Sequence, residues 1–148
     1  MRAIIHRFTA IGVAMISCIS TVFAVDLQDH MAIRNECSQR GSQTDMRDCV
    51  AEKAASSEKA LNAAQQAMQQ ALQKWDEDMK YVSAAKKEMA SSSKQFERFR
   101  KNHCDFMRAL AGGAAGNTNE IMRLACVTEA NLLRASQLNA AAARLPVK

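Results

Sequence analysis

Between Gly41 and Gly112 the chain contains neither glycine nor proline, and Ala, Gln, Lys, Glu and Met, all strong helix formers, dominate it. Such a stretch is helical. As one helix over residues 42 to 111 it would be roughly 105 Å long at 1.5 Å per residue, with its apolar stripe uncovered. It must therefore fold back on itself. Met46, Val50, Ala54, Ser57, Leu61, Ala64, Met68, Leu72, Trp75, Met79 and Val82 recur at steps of three and four and define one buried face. Met89, Ser92, Phe96, Phe99, His103, Phe106 and Leu110 repeat the spacing and are expected to pack against it. The reversal is expected in Asp76 to Ser83, where Asp78 or Ser83 offers a cap; the rival position is Ser91-Ser92-Ser93, with Ser92 and Gln95 as a capping box.

Ser42 followed by Asp45 caps the first helix, and Asp45, Asp48 and Glu52 suit its positive end. The run Gly112-Gly113-Ala114-Ala115-Gly116-Asn117 ends the second with residues that tolerate positive φ. A third helix is expected from about Asn119 to Ala143, with Ile121, Leu124, Ala125, Thr128, Leu132, Ala135, Leu138 and Ala142 inward, and Pro146 closes it. Residues 25–36 read as a flexible arm held only by Cys37. The fold class so defined is all-α: a small three-helix, up-down-up bundle.

The first residues set the chemistry of the rest. Arg2 and Arg7 precede an uncharged apolar stretch from Phe8 to Ala24 that ends in Val22-Phe23-Ala24, the pattern of a signal peptide cut after Ala24. Met15-Ile16-Ser17-Cys18 is a looser, competing lipobox that would make Cys18 a lipid anchor. A retained membrane helix fits less well, since 17 such positions barely span a bilayer. Removing residues 1–24 leaves 124, enough for one domain with a modest core. It also reduces five cysteines to four, Cys37, Cys49, Cys104 and Cys126, an even count that reads as two disulfides in an exported chain. Each crosslink would contribute about 3 kcal/mol in the chain-entropy model. In an up-down-up bundle all four cysteines fall at one pole. Topology leaves three pairings open, although the short separations favour Cys37 with Cys49 and Cys104 with Cys126. The expected location is periplasmic or secreted, with an envelope lipoprotein as the alternative.

Little in the chain suggests catalysis. Without Arg2 and Arg7, 18 basic residues face 15 acidic ones, a net +3 too mild for a nucleic-acid binder. The cysteines with His30 and His103 lack a C-x-x-C knuckle, so no metal or other cofactor is implied. Ser91-Ser92-Ser93-Lys94 matches S-x-x-K formally, but its companion motifs S-D-N and K-T-G are missing. The Gly112 loop lacks the G-K-[ST] of a phosphate cradle. No metal, nucleic acid or enzymatic activity is expected; a binding role is. Lys94, Arg98, Lys101 and Arg108 lie along one helical face, which is most simply a solvated one.

The cysteine-bearing segments are similar to those of a known family. Cys37 followed by Ser42-Gln43-Thr44-Asp45-Met46-Arg47-Asp48-Cys49 resembles the Ser-Gln-Thr-Glu-Met segment ending in Cys of the LprI-like lysozyme inhibitors, and Leu61-Asn62 continues it. In Phe96 to Cys104 that family has Trp, then an aromatic and Arg, then Cys; Gly112-Gly113, Cys126, Arg134 and Leu138 complete the pattern. Phe96 stands where the family has Trp and Asn131 where it has Thr. The resemblance implies a helical domain over residues 25–148, the two sequential disulfides, and a protein partner, lysozyme, inhibited by steric occlusion. The alternative is an envelope structural or assembly module that does not inhibit lysozyme. Common animal lysozymes are strongly basic, so binding by a +3 chain calls for a local acidic surface or neutral contacts. By position at the disulfide pole, the candidate binding residues are Ser42, Gln43, Asp45, Asp48, Gly112, Gly113 and Asn117.

Overall fold

A computed structural model describes residues 29–114 and 116–147. The expected signal peptide, the competing lipobox reading at Cys18 and residues 25–28 of the expected arm lie outside the described residues. Four helices follow one another: α1 (His30–Ser38), α2 (Gln43–Lys74), α3 (Met79–Ala109) and α4 (Thr118–Ala142). The all-α class and the two disulfides hold, but the expected count of three helices is corrected to four.

The additional helix replaces most of the expected arm. Asp29 caps α1 by accepting a hydrogen bond from the Ala32 amide at 2.7 Å. Ile33 and Cys37, one turn apart, are both fully buried. Burying an isoleucine contributes about 1.5–3 kcal/mol, so this segment is held by packing as well as by its disulfide. His30 adds a tether: its backbone N–H and its ring Nδ1 meet the Glu129 carboxylate at 3.2 and 3.0 Å.

The capping box at the start of α2 forms as expected. The Asp45 amide donates to Ser42 Oγ and the Ser42 amide donates to Asp45 Oδ2, both at 3.2 Å. Gly41, at φ +105, makes the turn that leads into it. The chain reverses over residues 75–78, at the start of the expected window and one residue ahead of it, leaving Ser91 to Ser93 within α3. Asp78 sits at the N-cap position without a side-chain cap bond; its carbonyl accepts from the Tyr81 and Val82 amides. The C-terminal residues return to this turn, where the Asp76 amide donates to the Pro146 carbonyl at 3.0 Å.

α4 is the centre of the bundle. It packs most extensively on α2, next on α3, and also on α1, whereas α2 and α3 scarcely touch. Ala54, Ser57 and Ala64 on α2, with Ala125 and Ala135 on α4, are buried between those two helices or beside them, and such small side chains permit close helix approach. The expectation that α3 packs against α2 is therefore corrected: its partner is α4. One consequence reaches the α3 stripe. Met89, Ser92 and Phe96 are half-buried, but Phe99, His103, Phe106 and Leu110 are exposed. The buried side of α3 is marked instead by Val82 and Cys104. The inward positions of α2 and α4 otherwise match the periodicity, and Asn131 is an unexpected addition to the core.

Candidate functional site

Both disulfides form at one end of the bundle. Cys37 bonds Cys49, with Cα atoms 5.6 Å apart, and Cys104 bonds Cys126, with Cα atoms 5.5 Å apart. The sequential pairing is thus the one formed, and these four thiols are consumed. Cys37 and Cys49 cluster with Ile33, Val50, Ile121 and Ala125, which ties α1, α2 and α4 together next to the bond that ties α3 to α4. Side chains surrounding this end are charged and paired. Arg123 Nε donates to Glu120 at 2.9 Å, and this bond, with Arg108 and Arg47 nearby, holds the Glu120 carboxyl below its usual range. Lys101 does the same for Asp105 across a 2.7 Å bond.

The candidate residues divide by what they do. Ser42 and Asp45 are occupied with each other in the cap, and that hydrogen bonding lowers the Asp45 pKa. Gln43 opens α2 with an exposed side chain. Asp48 is exposed and accepts from the Arg47 guanidinium. Gly112, at φ +58, and Gly113 are exposed in the loop after α3, and Asn117 is half-buried, makes no side-chain cap, and accepts the Ile121 amide at its carbonyl. What the pole presents at the Ser42 segment is a shallow depression of about 290 Å³ lined by Arg40, Asp45, Asp48, Cys49 and Glu52, and the Gly112 loop takes no part in its lining. Three carboxylates line it beside one guanidinium, and a second, Arg47, is bonded to Asp48, which leaves a mildly acidic surface on a basic chain. Arg40 and Glu52 were absent from the candidate set, although Glu52 is legible as the next turn of the Asp45, Asp48 face.

Halfway along the bundle lies a polar junction that no motif announces. Asn131 of α4 has no exposed surface. Its Nδ2 donates to Ser57 Oγ at 3.1 Å and to Glu58 Oε2 at 3.0 Å, and its Oδ1 accepts from Arg100 Nη1. Arg100 also reaches Glu58 at 2.6 Å. One turn further along α4, Arg134 donates to Ser92 Oγ at 2.7 Å, and both guanidiniums lie against the Phe96 ring, at 5.7 and 5.8 Å. The junction joins α2, α3 and α4 at a level where α2 and α3 make little direct contact. Its role is structural, since each of these hydrogen bonds runs from one helix to another.

Among models of known protein families, the one described as Lysozyme inhibitor LprI matches residues 34–138. The chain belongs to this family. The match begins inside α1, ends near the end of α4 and takes in both disulfides. No curated protein and no solved structure matches the chain. Placed in the fold, the positions that carried the resemblance are largely those that hold the LprI bundle together. Leu61 and Leu138 share a core cluster against which Phe96 packs, and Arg134 reaches across to α3. The family pattern therefore specifies the scaffold more than a contact surface. Among the described residues no group of three or more His, Cys, Asp or Glu is placed to hold a metal ion, and no helix is long and apolar enough to cross a membrane.

Proposed function

We propose that this LprI family member is an extracytoplasmic inhibitor of lysozyme, acting by steric occlusion through its disulfide-crosslinked pole. Membership of an inhibitor family over most of the chain is the observation that carries this reading. The geometry adds two supports. Two disulfides fix the pole before any partner arrives, which lowers the ordering cost of association. The depression lined by Asp45, Asp48 and Glu52 supplies the acidic surface that a basic enzyme requires of a basic chain. Disulfides also suit export to an oxidising compartment.

The test is lysis of cell walls by animal-type and goose-type lysozymes, titrated with purified oxidised protein beginning at residue 25. Saturable inhibition is expected from the oxidised form, and its loss after reduction and alkylation. Asp48→Lys combined with Glu52→Lys, both outside the cap and the core, should weaken inhibition of a basic lysozyme by roughly tenfold or more. Absence of inhibition by folded wild-type protein in large molar excess would sink the proposal for those enzymes. A second reading, an envelope interaction module that leaves lysozyme active, is favoured by the exposed Phe99, Phe106 and Leu110 on α3. That outcome is the one in which folded protein fails to inhibit.

A further inference from the structure

The apolar stripe of α3 outruns the bundle that should cover it. Met89, Ser92, Phe96, Phe99, His103, Phe106 and Leu110 are separated by three, four, three, four, three and four residues, the a and d spacing of a coiled-coil seam. Its first half, Met89, Ser92 and Phe96, is half-buried inside the molecule, Phe96 against the core cluster that α2 and α4 share. Its second half is not: Phe99 and Phe106 are each 59% exposed and Leu110 58%. His103 stacks on Phe99 with ring centroids 5.3 Å apart and near-parallel planes, so the two form one continuous aromatic unit on the strip. Leu133 of α4 borders the same strip, and between the helices, above Cys126, lies a groove of about 250 Å³ lined by Phe96, Phe99, His103 and Leu133.

We infer that this face is a dimerisation seam and that its occupant is the α3 helix of a second copy, lying antiparallel about a two-fold axis. Charge identifies the occupant. Lys94, Glu97, Arg98, Lys101, Asp105 and Arg108, the charged residues of this part of α3 other than Arg100, all fall at b, c and f positions, off the seam, and Glu97, Lys101 and Asp105 border α4 beside Cys104. The flanking g positions, where coiled coils place the charges that choose a partner, are Gln95, Asn102 and Ala109. At the e positions Arg100 is turned inward onto Glu58 and Asn131, and Met107 is half-buried. Two charged side chains line the groove, and both are engaged within the molecule: Glu129 with His30 and Arg134 with Ser92. A seam with no charge at its a, d and g positions offers little to an oppositely charged protein, and it lets a basic chain meet its own copy without placing like charges together.

The area agrees. Phe99, Phe106, Leu110 and Leu133 expose on the order of 400 Å² of apolar surface at their observed accessibilities. With a polar rim in the usual proportion, this gives about 650–700 Å² per copy, at the low end of specific interfaces. An interface of this size suits a weak, reversible dimer. Antiparallel pairing sets Phe106 of one copy opposite His103 of the other and Phe99 opposite Leu110, so each aromatic meets an apolar or aromatic partner. The inference is independent of lysozyme inhibition.

Sedimentation equilibrium of the oxidised protein from micromolar to millimolar concentration tests it. The weight-average mass is expected to rise towards twice that of the monomer. Phe99→Glu, at an exposed position, should keep the helical circular dichroism and both disulfides while weakening association at least tenfold. Phe106→Lys and His103→Glu should each do likewise. Mixing those last two should restore a heterodimer, because antiparallel pairing brings the introduced lysine of one chain to the introduced glutamate of the other. A monomer mass at every concentration, or association untouched by Phe99→Glu, overturns the proposal. Association lost in the single variants but not restored by mixing overturns the antiparallel seam.

Discussion

The polar junction makes a quantitative demand on Arg100. Its guanidinium is the donor that Asn131 Oδ1 accepts, on a residue with no exposed surface. Arg100→Met keeps the stem's packing but orphans that buried acceptor, at about 1–3 kcal/mol. Losing the contact with the Phe96 ring adds about 0.5–1 kcal/mol. Glu58, whose side chain is 45% exposed, regains water and adds less than about 1 kcal/mol. The expected cost is therefore about 2–4 kcal/mol, or roughly 8–16 °C in melting temperature for a domain of this size. Glu58→Gln is the informative contrast. It preserves an acceptor for both Arg100 and Asn131 and gives up only a partly solvated charge, so it should cost less than about 1 kcal/mol. Adding Asn131→Leu to Arg100→Met removes the orphan and should recover about 1 kcal/mol relative to Arg100→Met alone. Urea denaturation followed by circular dichroism, with disulfides intact and equal slopes required across the set, measures all three. Equal losses for Arg100→Met and Glu58→Gln, or no recovery in the double variant, would refute the reading of Asn131 Oδ1 as the group at stake.

Two further outcomes are expected. Glu120 and Asp105 have native pKa values held down by Arg123 and Lys101, so their contribution is complete above the unfolded carboxylate value of about 4 and is lost as pH falls through the lowered native values. Glu120→Gln should make the acid limb of a stability-versus-pH curve shallower, and an unchanged limb would count against the pairing. Gly41, at φ +105, and Gly113, which lies outside the positive-φ region with open space where a Cβ would stand, should respond oppositely to alanine. Gly41→Ala is expected to cost about 1–2 kcal/mol and Gly113→Ala to stabilise by about 0.4–1 kcal/mol, both read from thermal melts.

These predictions fall on features of unequal legibility. The face of α2 from Val50 to Leu72 was readable because it is long, regular and buried along its whole length, mainly by α4. The stripe of α3 has the same spacing, yet periodicity reports only that a helix has an apolar side. It does not say which neighbour covers that side, or for how many turns. The sequence order of α2 and α3 suggested that they pair, whereas the short Gly112 loop and the Cys104–Cys126 bond set α3 against α4. α1 is too short for its two buried residues, Ile33 and Cys37, to announce a period, although Asp29 is a readable cap. Asn131 and Arg100 were invisible for a different reason. Each is polar, and only their meeting with Ser57 and Glu58 across three helices makes them core residues.

The surface residues carry the functional question, and here the scaffold constrains the answer. Most of the family pattern is spent on crosslinks, on the Ser42–Asp45 cap, and on the Leu61, Phe96, Arg134 and Leu138 contacts. A match to that pattern transmits the fold strongly and the contact surface weakly. Two exposed features are left that the fold does not need: the acidic face of α2 at Asp48 and Glu52, and the uncharged seam of α3. They lie on different helices, so occupation of one does not consume the other. If α3 pairs antiparallel with its copy, the two crosslinked poles point in opposite directions, with the centre of the seam at the level of the Cys104–Cys126 bond. Such a dimer would carry two separate acidic depressions, one on each α2. Charge reversal on α2 should then weaken inhibition while leaving the dimer intact, and Phe99→Glu should dissociate the dimer while leaving the inhibition per chain unchanged.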